Sequence, residues 1–99
     1  MIRHSVMFRF EESVTDDQIA AMSAALDVLP SVIPEIAAYR HGRDLGLAPT
    51  NFAYAISADF ASVDDFVAYR DHPEHQRFIA EHITGHVAER AAVQFEYEN

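Results

Sequence analysis

The chain has 99 residues, 49% of them apolar, with no cysteine and a formal net charge of −9 from 16 acids against 7 bases. That length makes one domain, 1–99, with a single core and surface that a partner would help bury. The acidic balance argues against nucleic acid and anionic membrane surfaces as partners, missing cysteines exclude disulfides and thiolate chemistry, and no apolar run approaches a membrane span. The first residues run straight into a strand pattern with no leader-like segment, so the expectation is a cytoplasmic protein that acts on a small molecule or on another protein.

Taken in order, Ile2, His4, Val6, Phe8 and Phe10 alternate with Arg3, Ser5, Met7 and Arg9. A period of two marks a strand with one apolar face, on which His4 is the single polar member. Thr15 with Gln18 three residues on has capping-box spacing, and Asp16 and Asp17 favour the first turn of the helix that follows. Ile19, Met22, Leu26 and Leu29 form its stripe, which Pro30 and Pro34 are expected to stop. A weaker strand spans 36–44, at an edge or bulged at Gly42. Residues 45–51 form the loop of a long hairpin, and 52–60 form the cleanest strand, with Phe52, Tyr54, Ile56, Ala58 and Phe60 on one face.

Ser62 and Asp65 repeat the capping pattern, with Val63, Phe66 and Val67 entering the core. Then comes the segment with the densest chemistry, Tyr69-Arg70-Asp71-His72-Pro73-Glu74-His75. Proline suits the first helical position but not a helix interior, so one helix ends near Asp71 and another starts at Pro73, capped by His72. His75, Phe78, Ile79, His82 and Ile83 follow at spacings of three and four, one face of that helix. His75 therefore points where the buried residues point, either as a satisfied core histidine or as a site residue. Gly85 ends the helical region, and 87–97 forms a fourth strand with Ala91, Val93, Phe95 and Tyr97 on its core face and Ala92, Gln94 and Glu96 outward.

The order strand, helix, strand, strand, helix, strand predicts an α+β, ferredoxin-like antiparallel sheet with helices on one face. Its other face, read as Arg3, Ser5, Met7, Arg9, Ala53, Ala55, Ser57, Asp59, Ala92, Gln94 and Glu96, is either solvated or small enough for a second sheet to pack on it.

The opening Met1 to Phe10, the Leu29-Pro30…Ile33-Pro34-Glu35-Ile36 turn, Gly42-Arg43-Asp44-Leu45, Asp59-Phe60-Ala61-Ser62, Tyr69…His72-Pro73-Glu74-His75 and Val93 to Tyr97 together resemble the stress-responsive A/B barrel (Dabb, dimeric α/β barrel) family. The resemblance runs nearly end to end. It implies a homodimer whose two sheets face each other as a barrel with helices outside, in a stress-associated or unassigned role. One branch, the polyketide cyclases of the olivetolic acid cyclase type, is similar over the same span. That similarity implies a small-molecule pocket between sheet and helices within each subunit, and catalysis without a cofactor. Its catalytic pair falls on His75 and Tyr69, and its pocket residues on His4, Tyr54, Ile56, Leu26 and Ser23. The chain departs from that branch where Tyr54 replaces a histidine, Ser23 and Leu26 replace aromatic residues and His41 replaces a tryptophan, so the substrate is not carried over.

The chemistry of the pair can be argued from the residues. A partly buried His75 near a helix N-terminus is expected to stay neutral, since dipole and desolvation both disfavour imidazolium. A neutral imidazole can take a proton from a carbon beside a carbonyl, Tyr69 can donate to the ring or to a developing enolate oxygen, and His4 can hold a second carbonyl. The alternative is that Tyr69 and His75 satisfy each other at the helix break. His72 with His75, or His82 with His86, place two imidazoles at helical spacing, but no standard pattern joins them to Glu74, Glu81 or Glu89, and no metal is expected. Three function classes remain: a cofactor-free aldol-type cyclase or lyase, a non-catalytic ligand-binding or stress-protective dimer, and, by fold analogy, a cofactor-free monooxygenase.

Overall fold

A computed structural model describes residues 1–98. Its elements are β1 (Ile2–Phe10), α1 (Asp16–Val32), β2 (Ala38–Arg43), β3 (Tyr54–Phe60), α2 (Val63–Asp71), α3 (Pro73–Phe78) running into a π-helical turn at Ile79–Ile83, and β4 (Val87–Glu96). The strands form one antiparallel sheet in the order β2-β3-β1-β4. Ile2, Val6 and Phe8 of β1 and Tyr54, Ile56 and Ala58 of β3 share one buried cluster with Ile19, Met22, Leu26 and Leu29 of α1, Tyr69 of α2 and Phe78 of α3. The fold is ferredoxin-like α+β, with its helices on one face of the sheet.

Local chemistry sets the helix starts. The Thr15 hydroxyl accepts from the Gln18 amide while the Gln18 side chain accepts from the Thr15 amide, which satisfies two donors at the start of α1. Ser62 accepts from the Asp65 amide in the same way at α2. Val63, as the first helical residue, precedes the buried stripe and is exposed rather than in the core.

Four other expectations need correction. Pro30 does not stop α1, which continues to Val32. A proline so close to the end removes one hydrogen bond, whereas Pro34 forces the residue before it out of the helical region, and Ile33 is indeed extended. Of the two readings of the weak second strand, the edge holds, since β2 is outermost in the sheet, and the bulge at Gly42 does not. Gly42 pairs regularly with Ala55, and a register shift lies instead between Arg9 and Phe10. Strand β3 begins at Tyr54, and Phe52 lies under the Arg9 guanidinium, 4.1 Å from its ring centre.

The fourth correction matters most. Ala92 pairs with Val6, Gln94 with His4 and Glu96 with Ile2, whereas Ala91 pairs with Met7, Val93 with Ser5 and Phe95 with Arg3. Directly opposed residues share a face, so β4 has the opposite phase to the one read from its apolarity. Its apolar residues line the helix-free outer face, where Val93 and Phe95 are exposed. Assigning the apolar side to the core assumed one buried face, and this strand carries apolar residues on the other.

Candidate active site

Pro73 interrupts the helical run, so α2 ends with unsatisfied carbonyls. The Arg70 carbonyl is one of them, and it accepts from His75 Nδ1 at 3.0 Å and from Gln76 Nε2 at 2.6 Å. A carbonyl only accepts, so His75 carries its proton on Nδ1 and leaves Nε2 with a free lone pair. The imidazole is thus oriented by the break in the helix. Burial lowers its pKa below that of a free histidine, the Arg70 carbonyl opposes this, and the positive Arg90 adds to the lowering.

His4 reaches the same space from β1. The Gln94 amide donates to its Nδ1 at 2.8 Å, which puts the His4 proton on Nε2. Burial, reinforced by Arg90 and His75, holds the His4 pKa down at about 4. Among the described residues neither Nε2 has a partner and no buried side-chain nitrogen or oxygen is left unpartnered, so both atoms meet accessible space. One histidine therefore offers a lone pair and the other a donor.

Both line a cavity of about 250 Å³ with Tyr69, Ile56 and Arg90. Its apolar walls come from Val6 and Phe8 of β1, Phe78 of α3, and Ile79 and Ile83 of the π-helical turn. That turn closes through a bond from the Thr84 amide to the Ile79 carbonyl at 2.9 Å, a local widening of the helix that recurs at functional sites. Tyr69 is buried, with its ring centre 4.2 Å from that of His75. Its hydroxyl does not bond the imidazole. It lies 2.8 Å from the Tyr39 hydroxyl instead, and burial raises its pKa.

Among the residues expected at a site, His75, Tyr69, His4 and Ile56 come together. Tyr54, Ser23 and Leu26 lie elsewhere. Leu26 is fully buried in the core. The Tyr54 hydroxyl donates to Ser23 Oγ at 3.0 Å and lies 2.7 Å from His41 Nδ1, while His41 Nε2 lies 2.7 Å from an Asp27 oxygen. These four side chains satisfy one another and tie β2 and β3 to α1. The sequence reading missed Arg90, because β4 was assigned the wrong phase; pairing with Phe8 puts it on the inner face. Ile79 and Ile83 were legible as a stripe, but not as the wall of a cavity. Among the described residues no group of three or more His, Asp or Glu is placed to hold a metal ion, and no helix is long and apolar enough to cross a membrane.

A family model described as the stress responsive A/B barrel domain matches residues 2–97. Among solved structures, a dimeric ferredoxin-like protein of unknown function from Thermobifida fusca is 45% identical, covers 97% of this chain and 90% of its own, and superposes with a TM-score of 0.90. A hydroxynitrile lyase from Passiflora edulis is 24% identical over 95% of this chain and 90% of its own, with a TM-score of 0.83. An antibiotic biosynthesis monooxygenase is 9% identical over the whole of both chains, with a TM-score of 0.78. These last two likenesses are of fold alone. No curated protein matches the chain.

Proposed function

Since the chain belongs to the stress responsive A/B barrel domain family, we propose that it is a homodimer with a small-molecule site in each subunit, and that the site performs cofactor-free aldol-type cyclase or lyase chemistry. The observation that carries this reading is the opposed protonation of two histidines on one apolar cavity, His75 with a free Nε2 and His4 with an Nε2–H. His75 takes a proton from the carbon beside a substrate carbonyl, and the electron pair moves onto the carbonyl oxygen. His4 Nε2–H donates to that developing oxyanion, joined by the Tyr69 hydroxyl when Tyr39 is the donor in the bond between the two tyrosines. The enolate carbon then bonds to a second carbonyl carbon, whose oxygen recovers the proton held by His75. The reverse sequence is a lyase.

Deuterium uptake tests the base without knowledge of the natural substrate. The protein in heavy water should accelerate exchange at the α-carbon of an uncharged ketone such as β-tetralone, and His75→Ala should lower the acceleration by about 10²–10⁴-fold. A wild-type rate equal to that of buffer defeats the catalytic reading. It leaves the second one, a non-catalytic binding dimer, which the Tyr39–Tyr69 hydroxyl contact favours by already engaging the proposed donor.

The dimer reading rests on the outer sheet face. Met7, Val93 and Phe95 are exposed there beside small Ala55, Ala91 and Gly42, which suits close sheet-to-sheet packing. The Thermobifida fusca neighbour is itself described as dimeric. Light scattering at micromolar concentration should give twice the chain mass.

A further inference from the structure

All seven basic residues of the chain are arginines. Five are matched to carboxylates: Arg3 to Asp59, Arg9 to Glu89, Arg43 to Asp16, Arg70 to Asp71, and Arg77 to Glu74 and Glu81. Arg40 bonds its neighbour's carbonyl on the outer face of the sheet. Arg90 has no hydrogen-bond or ion-pair partner among the described residues, although the chain carries sixteen acids to supply one. Even its neighbour Glu89 is bound to Arg9, across the strand. The unpaired cation is an exposed side chain that its pairing with Phe8 sets on the inner face, at the open wall of the cavity that His4, Tyr69 and His75 share. Its charge reaches all three, adding to the lowering that burial causes at His4 and His75 and opposing the rise that burial causes at Tyr69. Arg70 also borders the cavity, but Asp71 holds its guanidinium through two bonds.

We infer that Arg90 anchors a carboxylate of the substrate, so that the site takes an oxo-carboxylic acid whose apolar body lies along Phe78, Ile79 and Ile83. A guanidinium matches a carboxylate with two parallel hydrogen bonds, and that pairing fixes one end of the molecule. The apolar wall takes the body, and His4 Nε2–H remains for the ketone oxygen. The same cation stabilises enolate charge that develops nearby. This assignment rests on the proposed reading of the cavity as a carbonyl site, but it makes a separate demand, namely selection for an acid over its neutral analogue.

Calorimetry with β-benzoylpropionate and its methyl ester tests it, since the two differ by one charge on the same aryl ketone. The wild type should bind the acid about tenfold or more tightly than the ester. Arg90→Ala should bring the two within about twofold, and Arg90→Lys should restore part of the preference and show a steeper loss with added salt. Arg77→Ala, a change of equal charge away from the cavity, should keep the preference. Equal binding of acid and ester by the wild type, a preference that survives Arg90→Ala, or binding of neither compound overturns the assignment. An acid preference that depends on Arg90, found alongside no deuterium exchange, upholds the anchor and removes the chemistry. Exchange on the uncharged ketone with no acid preference does the reverse.

Discussion

The two faces of the sheet are built from alternate residues of the same strands, and they are apolar for different reasons. The inner face, with Ile2, Val6, Phe8, Ile56 and Ala58, is closed over by helices and is nearly inaccessible. The outer face has no helix, and Met7, Val93 and Phe95 remain 43%, 57% and 45% exposed. Polar groups divide in the opposite sense. On the outer face the Arg3–Asp59 pair is fully matched, with two bonds of 2.8 and 3.0 Å, whereas on the inner face His4, His75 and Arg90 leave donors, a lone pair and a charge unspent. Apolarity therefore does not locate the core of this protein, and the polar groups left without a partner on the inner side are those that reach the open cavity. The unmatched groups collect where the helices fail to close on the sheet.

The largest expected effect comes from charging the outer face. Ala55 stands between Met7 and Gly42 in the cross-strand register, at the centre of the proposed contact. Ala55→Arg should cost the dimer about 3–5 kcal/mol through an unpaired charge in a packed interface. Light scattering should then report a single chain that retains its circular dichroism. An intact dimer would mean that the two faces do not differ in the way argued here.

The inner face should show itself in pH. His4 is held at about 4 against an ordinary 6.5, so between those values the unfolded chain binds a proton that the folded chain refuses. Stability from this group is complete above about pH 6.5 and falls as the pH drops towards 4, by about 3 kcal/mol. His75, lowered for the same reason, acts in the same direction. His4→Phe should remove its share of the acid loss in denaturant titrations at successive pH values. An unchanged slope between pH 6.5 and 4 would show that His4 titrates normally.

Smaller effects separate matched from unmatched polar groups on the inner side. Tyr54→Phe strands both His41 and Ser23 and should cost about 1–3 kcal/mol. Tyr69→Phe leaves the Tyr39 hydroxyl alone and should cost about 1 kcal/mol. His75→Ala should cost no more than about 1 kcal/mol, because the Arg70 carbonyl that loses the His75 Nδ1–H keeps its bond from Gln76 Nε2, and the free Nε2 makes none. Since no hydrogen bond joins Tyr69 to His75, the double mutant should couple only through ring packing, by less than about 1 kcal/mol. Strong coupling would restore the picture of a structural pair.

Much of the fold was legible because its signals are local. Thr15 with Gln18, Ser62 with Asp65, and Pro73 after His72 each determine a helix start through backbone groups within four residues. The alternation of β1 and β3 was equally direct. The phase of β4 was not, because a strand that is apolar outward for assembly carries the same pattern as one apolar inward for folding; only its pairing with β1 decides. The site followed the same division. His4, Tyr69 and His75 stood out as polar groups on buried stripes, but the contact of Tyr69 with Tyr39 joins residues 30 apart. Tyr54 and Ser23 belong to a closed network that includes His41 and Asp27, which no local spacing announces. Arg90 depended on the phase of β4.

The central claim is that burial holds His75 neutral while the helix break fixes its proton on Nδ1 and leaves its Nε2 open to the cavity. Nitrogen-15 NMR of the histidine rings across pH tests it most directly, because the two ring nitrogens report tautomer and titration together. The account predicts an Nδ1–H tautomer at neutral pH and a midpoint for His75 below 6.5, the ordinary value. An Nε2–H tautomer, or a midpoint at or above 6.5, would contradict it.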